Sequence, residues 1–565
     1  MTIEVFNAWA NRYFLSIVVI LALSACDDKT PNKMLDEQHY QLLQMTQRDE
    51  FDEKLLNQTL QSTHLATQQA ALRALVQLAN HDAANKAQAF LHHEQVALRE
   101  LAALALGASR DERWVPSLRS QFEREQSAAA AHQQLLALGQ IGGASALQLI
   151  NQVLTSDRSL AQRSSAAQAL GILLTWTDTR ALDLSTIAVG DLLNMAQTSG
   201  PESIAAAFAL SRITQSINGY QESSLTSAIK SASNPRAQAL LIRAWARFTH
   251  RQDYAAILPL LRHSAAAVVI ESARALTPFV ANPKVAQALL EVYQSADETV
   301  QGEVLTSLLS SKDNRVVAPL IYPALLNENV WQTGIALDWL AQQRPQEALA
   351  AALKVNAKAP RWLQVKALQI VSQTDPAKLK SQLSELQVAA HDPIYRYFIE
   401  PKTSEDNSEQ VKRRPLPPLA ELQLAQGARI RLTTVRGDII LQLAPQAPVN
   451  AAHLYALVTQ QKIVGSVFSR VIANFVAQGG DTLGNGMGQV DYQLRDEWSL
   501  LGHRAGTVGI ASRGKDTLGV QFFINLADNL HLDGRYTVVA QVVSGMDVAT
   551  QLQMGDAVLA AEIIQ

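Results

Sequence analysis

One segment near the C-terminus places polar side chains where they could act on a substrate. The sequence FSRVIANFVAQGGD, residues 468–481, sets Arg470 among apolar residues and Gln478 just before two glycines. No serine–histidine pair, carboxylate pair or cluster of metal-ligating residues accompanies them in this segment. The pattern therefore favours a reaction that uses hydrogen-bond donors, and neither a metal nor a cofactor is expected.

The surrounding region, residues 425–565, is predicted to form the β-structure that positions these side chains. After Gly427 the apolar residues alternate, and RIRLTTVRGDIILQL reads as two strands joined at residues 436–438. Pro448 is placed to begin a helix, and short strands with glycine-rich loops follow. Many short strands with one or two helices predict a closed antiparallel β-barrel.

A glycine- and lysine-containing stretch of this region does not predict a nucleotide site. The sequence GIASRGK, residues 509–515, has the glycine and lysine spacing of a phosphate-binding loop. Asp516 stands where such a loop needs serine or threonine to hold magnesium, and its charge would repel phosphate. No nucleotide is therefore expected as a ligand.

Residues 46–400 show a different pattern, a helical repeat of about 32 residues. LALG ends at Gly107 and again at Gly139, and QALG ends at Gly171. Helical pairs at a fixed period predict an all-α solenoid, in which each unit buries its apolar stripe against its neighbours. The repeats resemble HEAT units, although armadillo and tetratricopeptide repeats have similar patterns.

The predicted solenoid has a long concave surface, which suits an unidentified protein or peptide partner. Its tryptophans are expected in the core or lining this groove rather than at a cofactor site; they are Trp114, Trp176, Trp245, Trp331, Trp339 and Trp362. Residues 401–424 are polar, then basic and proline-rich, and predict an exposed linker with a solvated cluster at residues 412–414.

The N-terminus combines an apolar run with the only cysteine of the chain. Residues 14–25 are too few to span a bilayer but fit the core of a signal peptide. The run ends in LSAC, residues 23–26, which resembles the lipobox of bacterial lipoproteins, whose cysteine is lipidated. The alternative is an ordinary secretory peptide with a chance cysteine.

The lipoprotein interpretation predicts a signal peptide over residues 1–25, a lipid anchor on Cys26 and a tether over residues 26–45. It places the protein in the bacterial cell envelope, facing the periplasm, and leaves open whether the inner or the outer membrane holds the anchor.

Composition narrows the remaining possibilities. A length of 565 residues exceeds one ordinary core, so two or more domains are expected. An apolar fraction of 48% and a charged fraction of 18% are typical of globular proteins. The net charge of −3 argues against a nucleic-acid-binding surface, and a single cysteine allows no intrachain disulfide.

Four segments of the C-terminal region carry a family resemblance. Residues 468–481 resemble the signature F-x-R-V-I-x-x-F-x-x-Q-G-G-D of cyclophilin-type peptidyl-prolyl cis–trans isomerases. Residues 509–524 are similar to the second signature of that family, residues 532–548 to its third block, and residues 433–457 to its opening hairpin and first helix. The resemblance implies an eight-stranded antiparallel barrel capped by two helices, which acts on X–Pro bonds of polypeptides.

The resemblance also assigns roles to individual residues. Arg470 matches the catalytic arginine of the family. The positions that match its substrate-binding groove are Phe475, Gln478, Ala511, Ser512, Gln521, Phe523, Leu532 and Tyr536. Val476, Ser512 and Tyr536 replace the methionine, asparagine and histidine common in the family, which implies a changed substrate preference. His531 replaces a tryptophan that assists cyclosporin binding, which implies weak affinity for that ligand.

The implied reaction explains why no nucleophile or metal accompanies Arg470. Rotation about an X–Pro bond crosses a barrier of about 18–20 kcal/mol without breaking the carbon skeleton. A guanidinium offers a fixed fork of donors to the prolyl nitrogen, and its hydrogen bonds strengthen in a partly desolvated groove. A surface arginine lying over a strand is the alternative for Arg470 alone, but its register with Phe475 and Gln478 favours catalysis.

These patterns together predict an isomerase that acts on exported polypeptides from a membrane anchor, with the solenoid as a platform for partner or substrate. The alternative is an envelope scaffold whose barrel binds proline-containing loops without significant catalysis.

Overall fold

The computed structural model describes residues 35–564 except 215–216, 218–219, 248–253, 312, 401–411, 487, 489 and 491. The predicted signal peptide, Cys26, the tether up to residue 34 and the linker up to residue 411 lie outside the described residues. Within the described ranges, no helix combines the length and the apolar character needed to cross a bilayer.

The first part of the chain is a succession of short α-helices, as the repeat predicts. Neighbouring helices pack on one another and bury two apolar clusters, one among the first helices and a larger one that extends from Ala84 to Ile394. Their bounds are Glu37–Gln47, Glu53–Leu60, Leu65–Leu78, His81–Gln88, Val96–Ser109, Val115–Arg124, Ala128–Ile141, Gly143–Leu154, Leu160–Trp176, Val189–Ala196, Pro201–Leu210, Glu222–Ser231, Pro235–Trp245, Tyr254–Ile257, Ala266–Leu276, Pro283–Ser295, Glu298–Leu308, Asn314–Leu325, Val330–Gln343, Pro345–Ala352, Arg361–Thr374, Leu379–Glu385 and Pro393–Ile399.

The repeated glycines lie where one helix crosses the next. A Cβ atom at Gly139 would lie 2.5 Å from the carbonyl oxygen of Ala169, which belongs to the following repeat. A Cβ at Gly107 would lie 2.9 Å from the Cα of Ala137 in the same way. Because any side chain would force these backbones apart, the 32-residue period reflects one close helix–helix contact per repeat.

A ladder of charged side chains joins three later helices of the solenoid. Arg243 pairs with Glu271 at 2.6 Å, Glu271 with Arg274 at 2.9 Å, and Arg274 with Glu303 at 2.6 Å. Burial alone would raise the pKa of Glu271, but the two arginines hold it below its usual range. Glu271 therefore remains ionised, and the ladder fixes the relative position of successive repeats.

The C-terminal part is a curled, eight-stranded antiparallel sheet. Its strands are β1 (Arg429–Thr434), β2 (Gly437–Leu443), β3 (Arg470–Ile472), β4 (Val476–Gly479), β5 (Thr507–Ile510), β6 (Phe522–Asn525), β7 (Val538–Ser544) and β8 (Val558–Ile564). They lie in the order β3-β4-β6-β5-β7-β2-β1-β8. A bridge between Val467 and Ala557 brings the two outer strands together, so the predicted barrel-like fold is confirmed.

Three helices accompany this barrel: Leu419–Ala425, Pro448–Thr459 and Met546–Gln551. The first packs against the second, and apolar residues that alternate along β1 and β2, such as Ile430, Leu432 and Ile439, are buried in the barrel core. Arg413 and Arg414 lie against the barrel, since Arg413 donates to the carbonyl of Asp516 and Arg414 lies 5.9 Å from the Tyr492 ring. Within the basic cluster of the linker, Lys412 and Arg413 remain exposed to solvent and Arg414 is half-buried.

The solenoid curves around the barrel, and its repeats contact the barrel from one end to the other. Hydrogen bonds join the two parts along the whole arc: Arg495 to Thr46, Gln168 to Asp533, Trp176 to His531, Arg274 to Ala473, Asn329 to Gln553, and Arg361 to Thr482. The surface of the solenoid that carries these contacts faces the protein's own barrel.

Candidate active site

An apolar pocket opens at the end of the barrel where β4, β5 and β6 meet. Val476, Phe523 and Leu532 form its buried floor, and Phe475, Ala511 and Tyr536 pack on them from the rim. All six lie at or next to positions that the sequence assigns to substrate binding. Concave apolar sites with a few polar groups at the edge are the usual form of ligand pockets.

The Phe523 ring occupies its place because its neighbour across the strand pair has no side chain. Gly509 on β5 lies directly opposite Phe523 on β6, and the ring covers the Gly509 backbone. His503 stacks on the ring at 5.6 Å, and Tyr536 meets it edge-on at 5.8 Å. These contacts leave the ring little freedom, so the pocket floor is formed before a substrate arrives.

Phe475 is held by the turn that joins β3 to β4. Asn474 adopts a φ of 61°, in the left-handed region that asparagine tolerates well. The carbonyl of Phe475 then accepts hydrogen bonds from the Leu526 backbone and from the Asn529 side chain, each at 2.9 Å. The turn thereby fixes the half-buried Phe475 ring at the pocket entrance.

Arg470 lies at the start of β3, beside the pocket entrance. Its partner across the strand pair is Gln478, and its guanidinium lies 5.4 Å from the Phe475 ring centroid. Partial burial lowers the pKa of Arg470, while nearby Tyr536 opposes that shift. Arg470 forms no ion pair with any residue that the structure describes, so its donors are available to a substrate.

Two glutamines form the polar side of the groove. Gln478 donates to the side-chain oxygen of Gln521 at 2.8 Å, and Gln521 donates to the carbonyls of Gly486 and Gly488 at 3.0 and 2.9 Å. This chain of bonds orients both amides. The groove continues past Ala511 and Ser512 into a cavity of about 170 Å³.

Sequence reasoning missed the polar groups behind the pocket. His503 is buried, its ring nitrogens lie 3.2 Å from Asn525 and from the Tyr536 carbonyl, and burial lowers its pKa. Asp533 accepts from the His503 backbone at 2.6 Å and from Arg504 at 2.9 Å. No spacing in the sequence marks these residues, because their role is to hold Phe523 and Tyr536 from behind.

The structure also places the solenoid at the rim of the pocket. His531 stacks on Phe475 at 5.5 Å and on the solenoid residue Phe208 at 6.2 Å. The indole of Trp176 donates to the His531 carbonyl at 3.1 Å. The sequence marks His531 only as a histidine in place of the tryptophan common in the resembled family. In the structure its ring packs between Phe475 and Phe208.

An apolar pocket that is lined by aromatic rings and flanked by a guanidinium and an oriented amide suits a protein that holds a proline ring while its peptide bond rotates. Residues 429–563 match the family model of the cyclophilin type peptidyl-prolyl cis-trans isomerase/CLD.

Curated relatives agree with this match. The chain is 35% identical over 143 residues to a peptidyl-prolyl cis-trans isomerase of Helicobacter pylori, covering 88% of that protein and 24% of this one. It is 35% identical over 133 residues to isomerase ppi1 of Schizosaccharomyces pombe, covering 84% of it and 22% of this chain. It is 38% identical over 121 residues to isomerase B of Bacillus subtilis, covering 85% of it and 21% of this chain.

The chain therefore belongs to the cyclophilin-type peptidyl-prolyl cis–trans isomerase family, and its C-terminal barrel is an isomerase domain. Each similarity covers about a quarter of the chain or less and concerns the barrel.

Proposed function

We propose that this protein isomerises X–Pro bonds of exported polypeptides while tethered to a membrane, with the solenoid as a platform beside the groove. The observation that carries the proposal is the assembly of Arg470, Phe475, Gln478 and Phe523 around one apolar pocket.

The proposed mechanism uses three contacts. The proline ring enters the pocket between Phe475 and Phe523, which holds it while the preceding carbonyl rotates. Arg470 donates a hydrogen bond to the prolyl nitrogen, whose lone pair localises as amide resonance is lost. Gln478 aligns the substrate backbone. Because the guanidinium is ordered before the substrate binds, it stabilises the transition state without reorganising.

A second cavity supports the platform role of the solenoid. It measures about 630 Å³ and lies between the solenoid helices Ala266–Leu276 and Glu298–Leu308 and the barrel. Asn474, which precedes Phe475 in the chain, is part of its lining, so the cavity lies close to the pocket entrance. A volume in this range accommodates a short peptide segment. A polypeptide held in the pocket would thus have space to continue between the two parts of the protein.

The activity is tested with the full chain and a short X–Pro peptide, by exchange NMR between the cis and trans forms. Arg470→Ala is expected to lower kcat/KM by about 10²-fold, as found when one preorganised donor is removed. Arg429→Ala is the matched control, because Arg429 is an exposed arginine on β1, which pairs with β2 and β8 and not with the strands of the pocket. A wild-type rate equal to the uncatalysed rate, or full activity in Arg470→Ala, would support the scaffold alternative instead.

The location is tested separately, through Cys26. The lipobox-like sequence predicts that metabolic labelling with a fatty acid marks the wild-type protein and that it sediments with membranes. Cys26→Ser is expected to abolish the label and release the protein into the periplasm, with peptide isomerisation unchanged. Membrane association that persists unlabelled in this variant would refute the lipid anchor.

A further inference from the structure

A small cavity lies at the junction between the solenoid and the barrel, beside the proline pocket. Its volume is about 80 Å³, which admits one small group rather than a ring or a chain. Residues from both parts line it, among them Phe208, Arg212, Arg236 and Arg243 of the solenoid, and Asp528 and His531 of the barrel.

An unbroken series of ring contacts connects this cavity with the proline pocket. The guanidinium of Arg212 lies 5.1 Å from the Phe208 ring, Phe208 stacks on His531, and His531 stacks on Phe475. Because His531 itself lines the cavity and stacks on Phe475, a single ring separates the cavity from the wall of the proline pocket. A side chain close in sequence to a bound proline is therefore near enough to reach the cavity.

The cavity carries excess positive charge. Arg243 is paired with Glu271 at 2.6 Å, and Arg236 reaches Asp528 at 3.5 Å. Arg212, in contrast, pairs with no carboxylate in the part of the chain that the structure describes, and its contact there is the Phe208 ring. Burial lowers the pKa of Arg212 to about 10, and Arg247 and Arg243 add to this effect, so it remains charged at neutral pH.

Two polar atoms of the residues that line this cavity have no hydrogen-bond partner among the described residues. They are Nε of Arg212 and Nδ1 of His531, and both are buried. Buried polar atoms are paired in the great majority of native structures, and each exception calls for an explanation. Both atoms have almost no accessible surface, so they show that this lining lacks acceptors, and an anionic group in the cavity would balance the charge of Arg212.

We propose that this cavity binds the carboxylate of an aspartate or glutamate side chain that lies near the target proline in the substrate polypeptide. A carboxylate fits the volume, matches the donor fork of arginine and supplies the missing negative charge. The proposal rests on the proposed isomerase function and adds a substrate preference to it. The solenoid thus contributes Arg212 as a specificity-determining residue, from outside the domain that carries the reaction.

The test compares peptides that differ only by glutamate or glutamine, placed in turn at each position on either side of the X–Pro bond. With the full chain, kcat/KM is expected to favour glutamate by about tenfold at one or two positions, as a charge-assisted hydrogen bond implies. In Arg212→Met this ratio is expected to fall to near one. Arg315→Met is the matched control, because Arg315 is exposed and pairs locally with Asp313 at 2.8 Å; it should keep the wild-type ratio.

Arg212→Lys is a second variant, which retains the positive charge and loses the paired donors of the guanidinium. Its ratio of kcat/KM between glutamate and glutamine peptides is expected to lie between those of the wild type and Arg212→Met. A wild-type ratio near one at every position, with the glutamine peptides still isomerised, overturns the carboxylate site and leaves the isomerase function standing. A ratio that is unchanged in both folded Arg212 variants overturns the assignment to this cavity. Failure to isomerise any peptide overturns the proposed function itself.

Discussion

Gly509 offers a sharp test of the pocket because it is the residue on which Phe523 lies. A Cβ atom added there would be 2.8 Å from Cε1 and 2.9 Å from Cε2 of the ring, and closer still to Cζ. Ordinary contact begins near 3.4 Å, so the ring must move by about 1 Å in Gly509→Ala. His503 and Tyr536 contact the same ring and oppose its displacement.

Two magnitudes follow for Gly509→Ala. Overpacking of this kind typically costs about 1–3 kcal/mol of folding free energy. A displacement of about 1 Å at a reacting centre lowers the rate by about 10²-fold. We therefore expect kcat/KM for an X–Pro peptide to fall by one to two orders of magnitude, while the melting temperature falls by a few degrees.

The assay is exchange NMR with the full chain, together with a thermal melt of the same sample. Gly190→Ala is the control, because no heavy atom lies within 4 Å of a Cβ at that position, and both rate and melting temperature should stay close to wild type. Gly509→Ala with wild-type kcat/KM would refute the reasoning, since the ring position would then not govern the reaction.

Three further predictions concern the packing around the site. Burial raises the pKa of Asp496 to about 7; the hydrogen bond from the Asp516 backbone, the charge of Lys515 and the Thr537 hydroxyl oppose the rise, and the negative charge of Asp516 adds to it. Since the folded protein then binds a proton more tightly than the unfolded chain, stability should decrease from about pH 4 to about pH 7. Asp496→Asn is expected to flatten that decrease in thermal melts recorded across the window, and an unchanged slope would contradict the assignment. Gly139→Ala should lower the melting temperature, because its Cβ meets the backbone of Ala169, which cannot move aside as a side chain does; the same melt in Gly190→Ala is the comparison. Trp176→Phe removes the hydrogen bond to the His531 carbonyl and should destabilise the solenoid–barrel contact by about 1 kcal/mol. KM for an X–Pro peptide is then expected to rise by a larger factor than kcat falls. A lower melting temperature with unchanged KM and kcat would show that the contact is only structural.

The sequence is informative where local spacing determines structure. Arg470, Phe475 and Gln478 lie on one β3–β4 hairpin, so a short signature is enough to bring them together. The glycines at 107 and 139 likewise recur because the backbone of the next helix lies against each of them, whereas Gly171 faces the Phe208 ring.

Contacts between distant parts of the chain are beyond sequence reasoning. Nothing near Phe208 or Trp176 indicates that these side chains meet His531, which lies 355 residues beyond Trp176 in the chain. The contact depends on how far the solenoid curves, and curvature accumulates from small rotations in every repeat. The same cause explains why the sequence alone does not predict that the solenoid contacts the barrel.

The enclosure of the barrel has a consequence for the order of folding. Arg495 donates to the carbonyl of Thr46 across 449 residues of sequence, and the barrel strands come last in the chain. The helical repeats have short-range contacts and are complete before the barrel exists, so they fold first. The barrel then closes within an arc that is already present. Shortening that arc by one repeat would leave each half able to form its own secondary structure, yet would move Thr46 or Arg361 away from its partner and leave the last step of folding unfinished.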